Sequence, residues 1–281
     1  MRLFILGLGY SAQHFARKFG GAFSHIAGTV RDPKKRDDLA GIELHGFSGG
    51  SPTDETVKRV SEADVVLVSI PPGSTGDPAL AAFGDVLGRH RRKIIYLSTI
   101  GVYGDHGGAW VDESTPTQAA FERTRLRLAA EQAWMDIAPG NVAILRLAGI
   151  YGPGRNALVT LRTGTARRII KPGQVFNRIH ADDIASAIMA AIGHQGGIFN
   201  VCDDEPAPPQ DVIAYAARLM GVAPPREEAF ETAEMSAMAR SFYASSARVS
   251  NAKLKRELGV ALAYPSYRQA LDALWRAGEG R

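Results

Sequence analysis

The chain has 281 residues, 45% of them hydrophobic and 22% charged, enough to bury a large core as one large domain or two unequal ones. A single cysteine, Cys202, excludes an intramolecular disulfide and a cysteine-based zinc cluster, and fits a reducing compartment. The formal net charge of +4 raises nucleic acid as a partner, but the densest cationic run, Arg89-His90-Arg91-Arg92-Lys93, lies between a helical stretch and a strand. It reads as a solvated helix end, where cations complement the dipole, and no nucleic-acid motif accompanies it. The apolar run at 3–6 is too short for a signal peptide, and no later run approaches a membrane span, so a cytoplasmic chain without a membrane partner is expected.

In chain order, residues 2–6 have strand character and run into Gly7 and Gly9. Apolar residues then recur at Ala12, Phe15, Ala16 and Phe19, the spacing of one helix face, which Gly20 and Gly21 stop. A strand, a tight turn and a helix aiming its first N–H groups at that turn form an anion site suited to a pyrophosphate. Gly7 permits the turn, Gly9 lets the backbone approach the phosphates, and Ala12 supplies the third small residue; Tyr10 and Ser11 complete the stretch.

Strands and helices then alternate. Residues 25–30 are a second strand, and Asp32-Pro33 reads as the cap and first position of a short helix ending near Leu39. Residues 42–47 are a third strand, 53–60 a helix, and 64–70 a buried fourth strand closed by Pro71-Pro72-Gly73. Asp77-Pro78 opens a helix to about His90, and 93–98 is a fifth strand. Repeated βα units predict an α/β doubly wound parallel sheet of Rossmann type, helices on both faces, with ligands beyond the carboxyl ends of the strands. Ile70, Pro71, Pro72 and Ser98 fall at that edge. The second strand ends in Arg31, followed by Lys34 and Lys35, cations suited to the extra phosphate of NADP. Asp32, the competing NAD-type residue, suits an N-cap that occupies its carboxylate.

The stretch 94–118 carries Leu97-Ser98-Thr99, Val102-Tyr103-Gly104-Asp105 and Val111-Asp112-Glu113. It resembles the NAD(P)-dependent epimerase/dehydratase branch of the short-chain dehydrogenase/reductase superfamily. The segments LRLAGIYGPGR at 145–155, Ile179-His180-Ala181-Asp182-Asp183 and Phe199-Asn200-Val201-Cys202 extend the resemblance over nearly the whole chain. The glycine motif is similar to that of the atypical members. The resemblance implies a Rossmann domain at 1–152, with 177–201 returning to it, and a smaller C-terminal substrate lobe at 153–176 and 202–281. The resemblance implies a nicotinamide dinucleotide, and the cations Arg31, Lys34 and Lys35 make NADP the expected cofactor, with NAD as the alternative.

Members of that branch use a Tyr-x-x-x-Lys pair on the following helix, with a Ser or Thr at the end of the fifth strand. Thr99 matches the last of these, but alignment on Glu131 places Arg123 at the tyrosine position and Arg127 at the lysine position. A guanidinium stays protonated and cannot shuttle a proton. Arg127 remains able to hold the nicotinamide ribose, and both arginines are suited to fork onto a substrate carboxylate or phosphate. Tyr103 is the first substitute for the shuttle, being four residues from Thr99, followed by Tyr151 and His180. Asp182 reads as the N-cap of a helix bearing Ile184, Ala187, Ile188 and Ala191.

Towards the C-terminus, 229–243 reads as a mobile or helical cover, 251–258 as a helix stopped by Gly259, and Pro265-Ser266 as the cap of a last helix to about Ala277. No metal-ligand spacing or rival catalytic motif is present. The expected function is that of an NADP-linked oxidoreductase, epimerase or dehydratase acting on a small polar, sugar-derived substrate. The competing expectation is an NADP-binding redox sensor or scaffold without chemistry. The exposed face of the helix at 118–136 is the expected homodimer contact.

Overall fold

Strand β1 (Arg2–Leu6) sends Leu3 and Ile5 into one hydrophobic core and Phe4 and Leu6 into another, as the two-residue period of a strand buried on both faces requires. In the computed structural model, which describes residues 1–36, 38–89 and 92–281, β1 sits near the middle of a seven-stranded sheet. Its neighbours in sequence are β2 (His25–Val30), β3 (Glu43–Gly46), β4 (Val65–Val68) and β5 (Lys93–Thr99). A sixth strand, Val142–Leu147, and a seventh, Gly197–Val201, complete it. In space the order is third, second, first, fourth, fifth, sixth, seventh, with every neighbouring pair parallel. The chain therefore reverses direction across the sheet between β1 and β4, the switch point at which doubly wound sheets bind ligands.

Helices cover both faces. Phe15 of α1 (Tyr10–Phe19), Ile184 and Ile188 of α6 (Ala181–Ile192) and Leu254 of α9 (Ala252–Leu258) pack with Leu3 and Ile5. On the other side, Val60 of α2 (Asp54–Ser61), Phe83 of α3 (Pro78–Gly88) and Trp134 of α4 (Glu122–Ile137) pack with Phe4 and Leu6. Each such fully buried side chain contributes ~1.5–3 kcal/mol relative to exposure. Asp77 caps α3 through the N–H groups of Ala79 and Leu80 and also accepts from the Trp134 indole at 2.9 Å, which ties α3 to α4.

A separate apolar cluster joins α5 (Ala157–Arg162), α7 (Pro209–Met220) and α10 (Tyr267–Arg276) through Leu158, Ala216, Tyr267 and Leu271. The last helix is capped by Ser266, and Gly259 closes α9 in a left-handed conformation, as the sequence predicts. The segment 229–243 contains the end of a short strand, Glu227–Ala229, paired with Arg168–Ile170, and the short helix α8 (Ala237–Phe242). Among the described residues, no helix is long and apolar enough to cross a membrane.

Three local expectations are corrected. The helix after Asp32 is a single turn, Pro33–Lys35, because among the described residues of that stretch only Leu39 finds a buried position. The cap of α6 is His180, whose Nδ1 accepts the Asp182 N–H at 3.2 Å; Asp182 itself lies in the first turn. In the cationic run, His90 and Arg91 lie outside the described residues, and Arg92 is not solvated: it is buried and donates to the Val60 carbonyl at 2.7 Å.

Candidate active site at the strand ends

The glycine turn is held from below by a residue the motif does not contain. The hydroxyl of Thr29, buried in β2, accepts the Gly7 N–H at 2.9 Å, and the Thr29 carbonyl accepts the Leu8 N–H at 2.9 Å. Gly7 has φ of +94°, and a Cβ there would lie 2.7 Å from Ile70, so backbone conformation and packing both demand glycine. Gly9 differs. Its φ of −84° and ψ of −172° suit any residue, and a Cβ there would meet nothing within 4 Å. The space in front of Gly9, at the N-terminus of α1, is open for a ligand. Ser11 and Ala12 are buried beneath it, while Ile70 packs beside Gly7 with Pro71 and Pro72 following at the same edge.

Tyr10 leans across this edge. Its hydroxyl donates to the Pro153 carbonyl at 3.0 Å, Arg155 lies over its ring at 5.7 Å, and burial pushes its pKa up to about 12. Gly152 closes the contact: a Cβ there would stand 2.8 Å from the Tyr10 hydroxyl and 3.4 Å from His180 Nε2. The loop is clamped from behind, since Glu279 accepts the Gly154 N–H at 3.0 Å and the Asn156 amide at 2.8 Å.

At the end of β2, Arg31 is exposed, with its guanidinium unpaired among the described residues. The Asp32 carboxylate is occupied, accepting the Lys34 N–H at 3.1 Å and lying 3.5 Å from the Lys35 ammonium.

At the end of β5, Thr99 Oγ1 accepts the Gly101 N–H at 3.1 Å, which leaves its own O–H free to donate. Ser98 is different: it is buried, and its hydroxyl donates to Glu131. Glu131, 2% exposed, is also paired with Arg146, 4% exposed, through bonds of 2.7 to 3.2 Å. Arg146 continues the chain by donating to the Tyr103 hydroxyl at 3.0 Å, and that hydroxyl donates to Asn200 at 2.8 Å. Tyr103 is therefore fully buried, held on both sides, and pushed upward in pKa by burial. It offers no hydroxyl to the cleft, which corrects its assignment as proton shuttle.

Arg127 is partly buried; one Nη donates to the Tyr96 hydroxyl and the Leu97 carbonyl, both at 3.0 Å, and the guanidinium lies over the Tyr96 ring at 5.5 Å. It is thus a fixed cation one turn along α4 from Arg123. The start of α4 lies beside the Thr99 loop, where a Cβ on Gly101 would touch the Thr99 hydroxyl and the Thr124 methyl at 3.4 and 3.5 Å. The other two shuttle candidates sit behind this edge. His180 stacks edge-on to Tyr151 at 5.4 Å, and both His180 Nε2 and the Tyr151 hydroxyl are buried without a partner among the described residues. Burial drives the His180 pKa down to about 4, so the ring is neutral.

The same interior holds Asp203, whose carboxyl burial raises to about 8. Its Oδ1 accepts the Glu205 N–H at 3.2 Å, and its Oδ2 has no partner among the described residues. The folded pKa lies above the ordinary value of 3.8, so its contribution to stability is full below about pH 4 and is lost as pH rises through about 8. Asp203→Asn keeps the Oδ1 acceptor and removes the charge. Urea midpoints at pH 5 and pH 9 are expected to drop in the parent and to converge in the variant; equal pH dependence in the two proteins contradicts the burial of an ionisable carboxyl.

No family model matches the chain. A solved structure from Silicibacter pomeroyi DSS, described as a functionally unknown conserved protein, superposes with a TM-score of 0.91 at 44% identity over 99% of each chain. Protein YeeZ of Escherichia coli (strain K12) is 28% identical over 251 residues, 79% of this chain and 85% of that protein. UDP-glucuronic acid 4-epimerase from Bacillus cereus, solved in complex with NAD, superposes with a TM-score of 0.75 at 16% identity over 100% of this chain and 99% of that one. The architecture is the Rossmann-like α/β fold that the solved epimerases and dehydratases share. Within that fold, the chain belongs to one family with the Silicibacter protein.

Proposed function

We propose that the protein is an NADP-linked oxidoreductase, epimerase or dehydratase of a small polar, sugar-derived substrate, acting in the cytoplasm. The observation that carries the reading is the open cradle at Gly9, backed by the first turn of α1, with Arg31 exposed just past the end of β2. Gly7, Gly9, Ser11 and Ala12 would hold the pyrophosphate, with Tyr10 beside it. Arg31 would hold the 2′-phosphate, Ile70, Pro71 and Pro72 would flank the adenosine side, and Arg127 would hold the nicotinamide ribose. The group supplies a hydride donor or acceptor when bound. Thr99 donates its free O–H to a substrate oxygen at the end of β5, and Arg127 adds fixed positive charge nearby. Solved relatives of this fold include one bound to NAD, which supports a dinucleotide at this edge.

The test is NADPH-dependent reduction of small and sugar-derived aldehydes and ketones across pH, with epimerisation and dehydration assayed on the same panel. Thr99→Val is expected to lower kcat/KM by about ten- to a hundred-fold, through loss of a hydrogen bond to the reacting oxygen. Tyr103→Phe is expected to leave the rate within about three-fold, because its hydroxyl serves Arg146 and Asn200; a loss near the hundred-fold usual for a general acid returns Tyr103 to the chemistry. Arg123 at the shuttle position favours a second reading, an NADP-binding redox sensor or scaffold, and NADPH binding with no reactive panel member supports it. Light scattering tests the exposed face of α4 as a homodimer contact.

A further inference from the structure

Arg123 occupies the position at which relatives by resemblance carry a proton shuttle, yet its surroundings are built for something else. Its guanidinium lies 4.7 Å from the ring centre of Phe121, on its own side of the cleft, and 5.2 Å from that of Phe242, which α8 brings over from the C-terminal segment. Two rings against one cation restrict its rotamers. The neighbouring arginines are committed: Arg127 to Tyr96 and Leu97, Arg125 to the Ala120 carbonyl at 2.9 Å, Arg146 to Glu131. Arg240, on α8 itself, donates to the Phe230 and Ala233 carbonyls at 3.2 and 2.7 Å. Arg123 alone in this group has no hydrogen-bond acceptor among the described residues, and it is exposed.

We infer that Arg123, pinned between Phe121 and Phe242 beside the Thr99 loop, is the substrate anchor of the proposed enzyme and selects a sugar derivative carrying a carboxylate or a phosphate. The inference rests on the proposed site but concerns substrate class rather than cofactor. Held against two rings yet exposed, the guanidinium keeps its N–H groups for a planar, two-point pairing with an anion. Arg123 thereby exchanges a proton-transfer role for a charge-recognition role. Phe242, 55% exposed, is the part of the C-terminal segment that meets the Rossmann side at this point, so anion binding and the seating of α8 are coupled.

Three probes test this: glucose, glucuronate and glucose 6-phosphate, titrated calorimetrically with and without saturating NADPH, with NADPH affinity measured separately. At least one of the two anionic sugars is expected to bind about ten-fold more tightly than glucose, the worth of one charge-assisted fork, and which one identifies the anion as carboxylate or phosphate. Arg123→Gln is expected to erase that preference, Arg123→Lys to retain part of it, and Phe242→Ala to weaken it several-fold, all with parent-like NADPH affinity. No preference for either anion in the parent, or a preference that survives Arg123→Gln, overturns the inference. Failure of NADPH to bind removes the cofactor reading instead, and leaves the anion preference to be read from the titrations made without it.

Discussion

Gly9→Val is expected to abolish dinucleotide binding while the fold survives. The backbone at Gly9 is extended, a conformation in which a β-branched residue is at ease, and no protein atom lies within 4 Å of an added Cβ. The added isopropyl group would therefore stand in the space in front of α1, where the pyrophosphate must approach the backbone. A loss of affinity of at least about a hundred-fold, ~2.7 kcal/mol, is expected by nicotinamide fluorescence, with unchanged circular dichroism. Gly7→Ala provides the contrast: its φ of +94° and the 2.7 Å approach to Ile70 make it a lesion of the fold, at a cost of ~1–3 kcal/mol for the backbone conformation. Parent-like binding by the valine variant makes the glycine turn a mere connection.

The second large effect lies behind the site. Glu131→Ala is expected to destabilise the protein by about 3–5 kcal/mol, because it leaves the Arg146 guanidinium buried without its counter-charge. The loss is structural before it is functional. Glu131 joins Ser98 on β5 to Arg146 on the sixth strand, and Arg146 reaches Tyr103 and through it Asn200 on the seventh. One ionic chain thus fixes the strand ends that present Thr99. Replacing both charges, Glu131→Leu with Arg146→Met, is expected to recover most of the loss, since two apolar groups of similar volume need no partners. Urea unfolding of the three variants reads this directly; a single variant within about 1 kcal/mol of the parent contradicts the buried pair.

Much of this architecture was legible in local pattern. The apolar runs at 64–70 and 93–98 became buried strands, and the α1 stripe of Ala12, Phe15 and Ala16 faces the core, because both periods report burial directly. Strand ends were less well defined: β4 stops at Val68, since Pro72 and the bridge between Gly73 and Gly76 take over the backbone soon after Ile70. What stayed hidden were long-range polar partnerships. Tyr103 and Asn200 are 97 residues apart, and nothing in the side-chain type at either position pairs them. An acid between Leu128 and Trp134 on the helix, with an arginine inside the apolar strand LRL at 145–147, is the signal in the sequence that pairs Glu131 with Arg146. Thr29 likewise reads in the sequence only as a strand residue, since its role depends on where Gly7 lands in the neighbouring turn. His180 displaced Asp182 as the α6 cap because a ring nitrogen can accept the same N–H that a carboxylate would.

The absence of a phenol at the start of α4 was plain from the sequence; what the structure adds is that Tyr103 does not replace it. Any proton transfer at this edge must then use a group other than Tyr103, and Tyr10 and His180 converge on Gly152 without either being free of constraint. Their roles are separable by the pH dependence of turnover, since burial pushes His180 down and Tyr10 up.

Fluorescence titration of the purified protein with NADPH and with NADH, repeated on Arg31→Asp, tests the central claim most directly. The account predicts saturable binding of NADPH, about ten-fold weaker binding of NADH, and reversal of that preference in the variant, because Arg31 is the exposed cation at the end of β2 while Asp32 is engaged by the Lys34 N–H. Saturable binding of neither dinucleotide contradicts it.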